Sequence, residues 1–168
     1  QFKNEEPKQT AFSDLLGTGQ LDSKQPIQSL ELLEIAEEPY YWINKKELYH
    51  AQSGEIKIGL SETEALSIAK RYVKKTMLVK EIQLVKKTDQ HHEYRGRLLP
   101  AYVISYQNEG AVKAYISVKD GSFQTVRHRS WRWFDFLWMT HTMDYQNRDN
   151  INTLTLRLFS LLGLITVL

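Results

Sequence analysis

The sequence predicts an α+β fold with two duplicated units, antiparallel sheets packed by helix, then a juxtamembrane helix and the start of a transmembrane helix. Three observations carry this. A capping box opens an amphipathic run at residue 61. Alternating strands with tight-turn residues flank that run on both sides. The last third of the chain turns aromatic and then almost wholly apolar.

Residues 1–26 are polar, contain Pro7, Gly17, Gly19 and Pro26, and read as a lead-in, with Thr10 to Leu16 as a candidate short helix. Residues 27–60 form the first sheet unit. Ser29–Ala36 fits helix or strand by periodicity, and comparison with a later segment decides for strand. Pro39-Tyr40-Tyr41-Trp42-Ile43 is echoed by Pro100-Ala101-Tyr102-Val103-Ile104, and each is followed by a strand that climbs to a turn, Ser53-Gly54 or Asp120-Gly121. By this repeat Ser29–Ala36 corresponds to Met77–Thr88.

Residues 61–128 form the second unit. Ser61 and Glu64 stand at capping-box spacing, where each side chain satisfies an amide that the helix leaves free. Ala65, Ile68, Ala69, Tyr72 and Val73 then fall on one apolar face, so the helix is expected from Glu62 to about Lys75. Lys70, Arg71, Lys74 and Lys75 gather at its negative end. Met77–Thr88 and Leu99–Tyr106 are strands joined by a polar loop, Asp89–Arg97. Val112, Ala114, Ile116 and Val118 alternate with polar or amphipathic residues, Asp120-Gly121 makes a tight turn, and Phe123–Arg127 returns.

Residues 129–153 concentrate Trp131, Trp133, Phe134, Phe136 and Trp138. On a helical wheel Phe134, Leu137, Trp138, His141 and Tyr145 share one side, and Arg132, Asp135 and Thr142 lie opposite. Aromatic rings beside Arg127, Arg129 and Arg132 are what a membrane–water interface favours, with the rings at headgroup depth and the cations near phosphates. Residues 154–168 carry one charge, Arg157, and are expected to begin a transmembrane helix, since about 20 apolar residues cross a bilayer.

The 168 residues contain no Cys, which excludes a disulfide scaffold, a thiol nucleophile and thiolate-held iron. Residues 1–64 hold twelve acids against six bases, and residues 65–168 eight against sixteen. The basic helix end has no nucleic-acid-binding module around it and an acidic half to face, so nucleic acid is not an expected partner. No Gly-rich phosphate loop, His-Glu-x-x-His or Gly-x-Ser-x-Gly motif occurs, and no catalytic residue is assigned.

Several charges and histidines remain as candidates. Arg132 with Asp135 and Asp144 with Arg148 stand at helical pairing distances and read as juxtamembrane ion pairs. His91-His92 with Asp89 and Glu93 reads as a solvated loop, because adjacent loop residues seldom share one metal ion. His128 reads as a headgroup contact. His141, on the apolar face, is the one candidate haem ligand, set against an ordinary interfacial histidine.

Leu60-Ser61-Glu62-Thr63-Glu64-Ala65 with Ile68-Ala69, and Ala114 to Gly121, resemble the PepSY domain of membrane proteins. Pro39–Tyr41 followed by Tyr49 to Glu55 carries the same likeness, and Arg127–Tyr145 with Arg148-Asp149-Asn150 resembles the juxtamembrane segment of such proteins. The likeness covers residues 27–168. It implies a helix on a small antiparallel sheet in each unit, no catalytic centre, and a position outside the cytoplasmic (inner) membrane. It implies a binding or regulatory module for an unidentified protein or small ligand. Related membrane forms include haem-containing iron reductases, the second reading, and restraint of peptidases is a third.

Overall fold

The computed structural model describes residues 10–23, 25–74, 76–89, 92–143, 150 and 152–167. Strands β1 (Leu30–Ile35), β2 (Glu38–Ile43), β3 (Glu47–His50) and β4 (Ile56–Lys57) form one antiparallel sheet in that order. Helix α1 (Glu62–Tyr72) follows. Strands β5 (Val79–Val85), β6 (Ala101–Tyr106), β7 (Lys113–Ser117) and β8 (Phe123–Arg127) then form a second sheet with the same connectivity. Helices α2 (Arg129–Thr142) and α3 (Leu154–Val167) close the described chain.

Ser29–Ala36 therefore resolves as strand, with Leu32 opposite Tyr41 and Leu30 opposite Ile43. A register shift between Val79 and Glu81 accounts for the imperfect alternation of β5. At the start of α1, Ser61 Oγ accepts from the Glu64 amide, and the Glu64 carboxylate accepts from the Ser61 amide at 2.9 Å. The helix stops at Tyr72, short of the expected Lys75. Val73 is extended and almost wholly buried, so its side chain joins the core at the cost of the last helical turn.

The helix expected for each sheet is instead one helix shared by both. The largest apolar cluster unites Ile35, Tyr40, Trp42 and Leu48 of the first sheet with Ala65, Ile68 and Ala69 of α1. It continues into Tyr102, Ile104, Ala114 and Ile116 of the second sheet. Polar contacts hold the arrangement. Arg71 pairs with Glu34 of β1, and Lys57 of β4 meets Glu64 at 2.7 Å. The Leu60 amide donates to Val118 O at 3.0 Å, and Tyr102 Oη donates to Leu60 O at 3.2 Å.

The described residues of the lead-in, 10–23 with 25 and 26, are part of the fold, and residues 1–9 and 24 lie outside the described residues. Leu15, Leu16, Leu21 and Ile27 cover Tyr41, Ile43, Tyr49 and Ala51 on the outer face of the first sheet. Leu16 N donates to Ala51 O at 2.8 Å, and Tyr41 Oη donates to Leu16 O at 2.9 Å. The helix expected at Thr10–Leu16 does not form, because the segment bonds to the sheet, leaving a 3-10 turn at Thr18–Gln20.

Gly121 marks where the two sheets meet. Its φ is +69°, and a Cβ there would lie 3.0 Å from Ile35 Cγ1 of the other sheet. A positive φ costs an L-residue about 1–2 kcal/mol before any clash. Gly121→Ala should therefore lower unfolding stability by at least about 1 kcal/mol, read as a lower urea midpoint at unchanged m value.

Candidate functional site

The polar loop after β5 does not stay in solvent. It folds over the outer face of the second sheet, where Tyr94 is fully buried with Ala101, Val103 and Tyr115. The Tyr94 and Tyr115 rings stack with centroids 4.6 Å apart, and Tyr94 Oη donates to Leu98 O at 2.7 Å. His92 Nδ1 accepts from the Tyr94 amide at 3.1 Å, so this histidine shapes the turn. His91 lies outside the described residues.

This fold-back delivers Glu93 beneath α2. Arg132 Nε donates to Glu93 Oε2 at 2.7 Å, Tyr115 Oη donates to Oε1 at 2.6 Å, and Lys113 Nζ lies 3.0 Å from Oε1. Burial alone would raise the Glu93 carboxyl. The bonds from Arg132, Tyr115 and Lys113 outweigh it and hold the pKa at about 2. Burial and the Glu93 charge together push the Tyr115 phenol far above its ordinary value.

The expected pairing of Arg132 with Asp135 is thus replaced by two bridges across the chain. Arg132 takes Glu93, and Asp135 Oδ1 lies 3.4 Å from Arg95 Nη2. An exposed i, i+3 pair gains a few tenths of a kcal/mol, whereas a half-buried carboxylate with several donors gains more. Asp144 and Arg148, the second expected pair, lie outside the described residues.

Helix α2 begins at His128, whose Nδ1 accepts from the Trp131 amide at 3.3 Å. His128, expected as a headgroup contact, caps the helix through this bond. The helix is inverted relative to a core helix: its buried residues are Asp135 and Thr142, and Trp133, Phe134, Phe136, Leu137 and Trp138 are 42–60% exposed. Thr142 Oγ1 is satisfied by Trp138 O at 3.1 Å. The two-sided wheel drawn from the sequence holds, with Asp135 and Thr142 buried, Arg132 held by Glu93, and the aromatics outward. Tyr145 lies outside the described residues.

Of the arginines expected at an interface, two turn inward. Arg127 stacks on Trp131, 3.8 Å from its ring centroid, and its Nε donates to Glu93 O at 3.0 Å. Arg132 is held by Glu93, and Arg129 is exposed. His141 is exposed on the last turn of α2, its ring centroid 6.3 Å from Trp138. Among the described residues, no three His, Asp or Glu side chains are grouped to hold a metal ion.

Helix α3 is exposed around most of its circumference, with Leu154, Leu158, Phe159, Leu161, Leu162, Leu164 and Ile165 each more than half exposed. Its 14 residues rise about 20 Å. No helix among the described residues is long and apolar enough to cross a membrane. No family model, curated protein or solved structure matches this chain.

Sequence reasoning assigns Glu93 to a solvated loop and so misses it. The available signal is Tyr94 beside it, a large aromatic in an otherwise polar stretch. The folded pKa near 2 lies below the ordinary 4.5, so the carboxylate contributes fully above about pH 4.5. That contribution is lost as pH falls toward 2. Glu93→Gln should cost roughly 3 kcal/mol at neutral pH and flatten the stability profile across that acid window, as measured by urea unfolding at a series of pH values.

Proposed function

We propose that this chain is a non-catalytic binding or regulatory module of the PepSY type. In this reading it rests on a lipid bilayer through α2, enters it through α3, and offers its two sheets to a protein or small ligand. The resemblance to PepSY proteins supplies the side, outside the cytoplasmic membrane.

The observation that supports it is the inversion of α2. A helix docked on a soluble domain buries its apolar stripe, and this one buries Asp135 and Thr142 and presents two tryptophans, two phenylalanines and a leucine. A contiguous apolar face of this kind marks an interaction surface. Helix α3 argues for lipid as the occupant, because it is apolar and exposed in most directions at once. A protein groove covers one face of a helix, and hydrocarbon covers all of them. Tryptophan rings next to Arg129 fit the headgroup layer.

Flotation of the purified chain with phosphatidylcholine vesicles tests this. The chain should rise with the vesicles and its tryptophan emission should shift to the blue. Replacing Trp133, Phe134 and Trp138 together by Ser should weaken association at least tenfold, since burying one such ring is worth about 1.5–3 kcal/mol. A chain that stays at the bottom of the gradient, or a triple variant that floats equally, overturns the reading.

A further inference from the structure

The loop over the second sheet, β8 and the first turn of α2 enclose an open cleft of about 710 Å³. Three guanidinium groups line it, Arg95 and Arg97 from the loop and Arg127 from β8, with Trp131 as a wall. Arg97 Nη1 donates to Gln124 O at 2.9 Å. Arg127 donates through Nε to Glu93 O and through Nη1 to Thr125 Oγ1, each at 3.0 Å. Arg95 reaches Asp135 through Nη2 at 3.4 Å. These bonds orient the three side chains and use a minority of the five donors that each guanidinium carries.

The charge around the cleft is unbalanced. Asp135 meets Arg95, and the Glu93 carboxylate is already engaged by Arg132, Lys113 and Tyr115. Burial first, and then the nearby Arg97 charge, lower the pKa of Arg127, while Glu93, Tyr115 and Asp135 partly offset them, so a half-buried guanidinium here is incompletely compensated. A bound anion would complete the compensation. One fork satisfies a carboxylate's two oxygens, whereas several guanidiniums lining one cleft offer donors enough for the larger set of acceptors on a tetrahedral oxyanion.

We propose that the cleft between Arg95, Arg97 and Arg127 binds a phosphoryl group, as a phosphate monoester or diester. The proposal deepens the membrane reading and rests on it for the source of the ligand. The cleft opens at the root of α2, beside the aromatic face, where the phosphate of an anionic lipid headgroup would lie. Soluble phosphate offers the same chemistry.

Two measurements on the full chain separate the possibilities. Inorganic phosphate is titrated and followed by calorimetry and by the arginine Nε–H resonances. Flotation is compared between phosphatidylcholine vesicles and the same vesicles doped with phosphatidic acid. Arg97 is exposed and holds one backbone carbonyl, so Arg97→Gln leaves the Glu93 network in place. It should weaken phosphate binding and the preference for phosphatidic acid about tenfold, the loss of one charge-assisted contact. Lys70→Gln with Lys74→Gln, two exposed charges of and beside α1, should change both by less than about twofold, because remote surface charges are screened.

Phosphate binding without a vesicle preference supports the site and assigns it to soluble phosphate. A wild-type chain with neither phosphate binding nor a preference for phosphatidic acid overturns the site, and flotation with plain phosphatidylcholine then leaves the membrane reading standing. Equal losses in the Lys70 and Lys74 variant also overturn it, as general charge attraction. Phosphate binding by a chain that never floats overturns the membrane reading alone.

Discussion

Because the Glu93 carboxylate accepts from Arg132, Tyr115 and Lys113 at once, α2 is fastened to the second sheet by its polar stripe. The orientation of everything beyond β8 depends on that fastening. With Arg132 turned down to Glu93 and Asp135 turned down to Arg95, the helix has no rotation that also buries its aromatic rings. The stacked Tyr94 and Tyr115 rings support the carboxylate from below, so a dry aromatic floor carries a charged hub. In such surroundings an ion pair is strong once made and costly to leave half made.

A second constraint lies in the centre. One helix of 11 residues serves two sheets, and its burial pattern of Ala65, Ile68 and Ala69 explains how. Two of the three are alanines, which let the strands approach closely. The bulk of the core comes from the sheets, with Tyr40, Trp42, Tyr102 and Ile104 meeting around the helix. Charge secures what small residues cannot, through Arg71 to Glu34 and Glu64 to Lys57. The acidic first half and basic second half of the sequence are joined in part by the Arg71 bridge.

Elements with a local code were legible from the sequence. The capping box at Ser61, the Asp120-Gly121 turn, the strands from Ala101 to Arg127 and the two-sided wheel of α2 all depend on residues close together in the chain. The repeat beginning at Pro39 and Pro100 identifies Ser29–Ala36 as strand where periodicity alone is ambiguous. What escaped depends on contacts far apart in sequence. Glu93 meets Arg132 across 39 residues, and Tyr41 meets Leu16 across 25. No spacing rule links such pairs, so the sequence matches Arg132 with its helical neighbour Asp135. The arginine cleft is hidden for the same reason: Arg95 and Arg97 belong to a loop, and Arg127 joins them only when that loop folds back.

The packing of the lead-in has a consequence for where this folding unit begins. A boundary drawn at the repeat would place it near residue 27, since both sheets lie downstream. Leu15, Leu16 and Leu21 nevertheless supply the only apolar cover, among the described residues, that comes from before that boundary for Tyr41, Tyr49 and Ala51. A chain cut there would leave a sheet with one wet aromatic face and the hydroxyl of Tyr41 without its acceptor at Leu16. The smallest autonomous fold is therefore longer at its amino end than the repeat, with Leu15, Leu16 and Leu21 acting as a clasp that completes the first sheet.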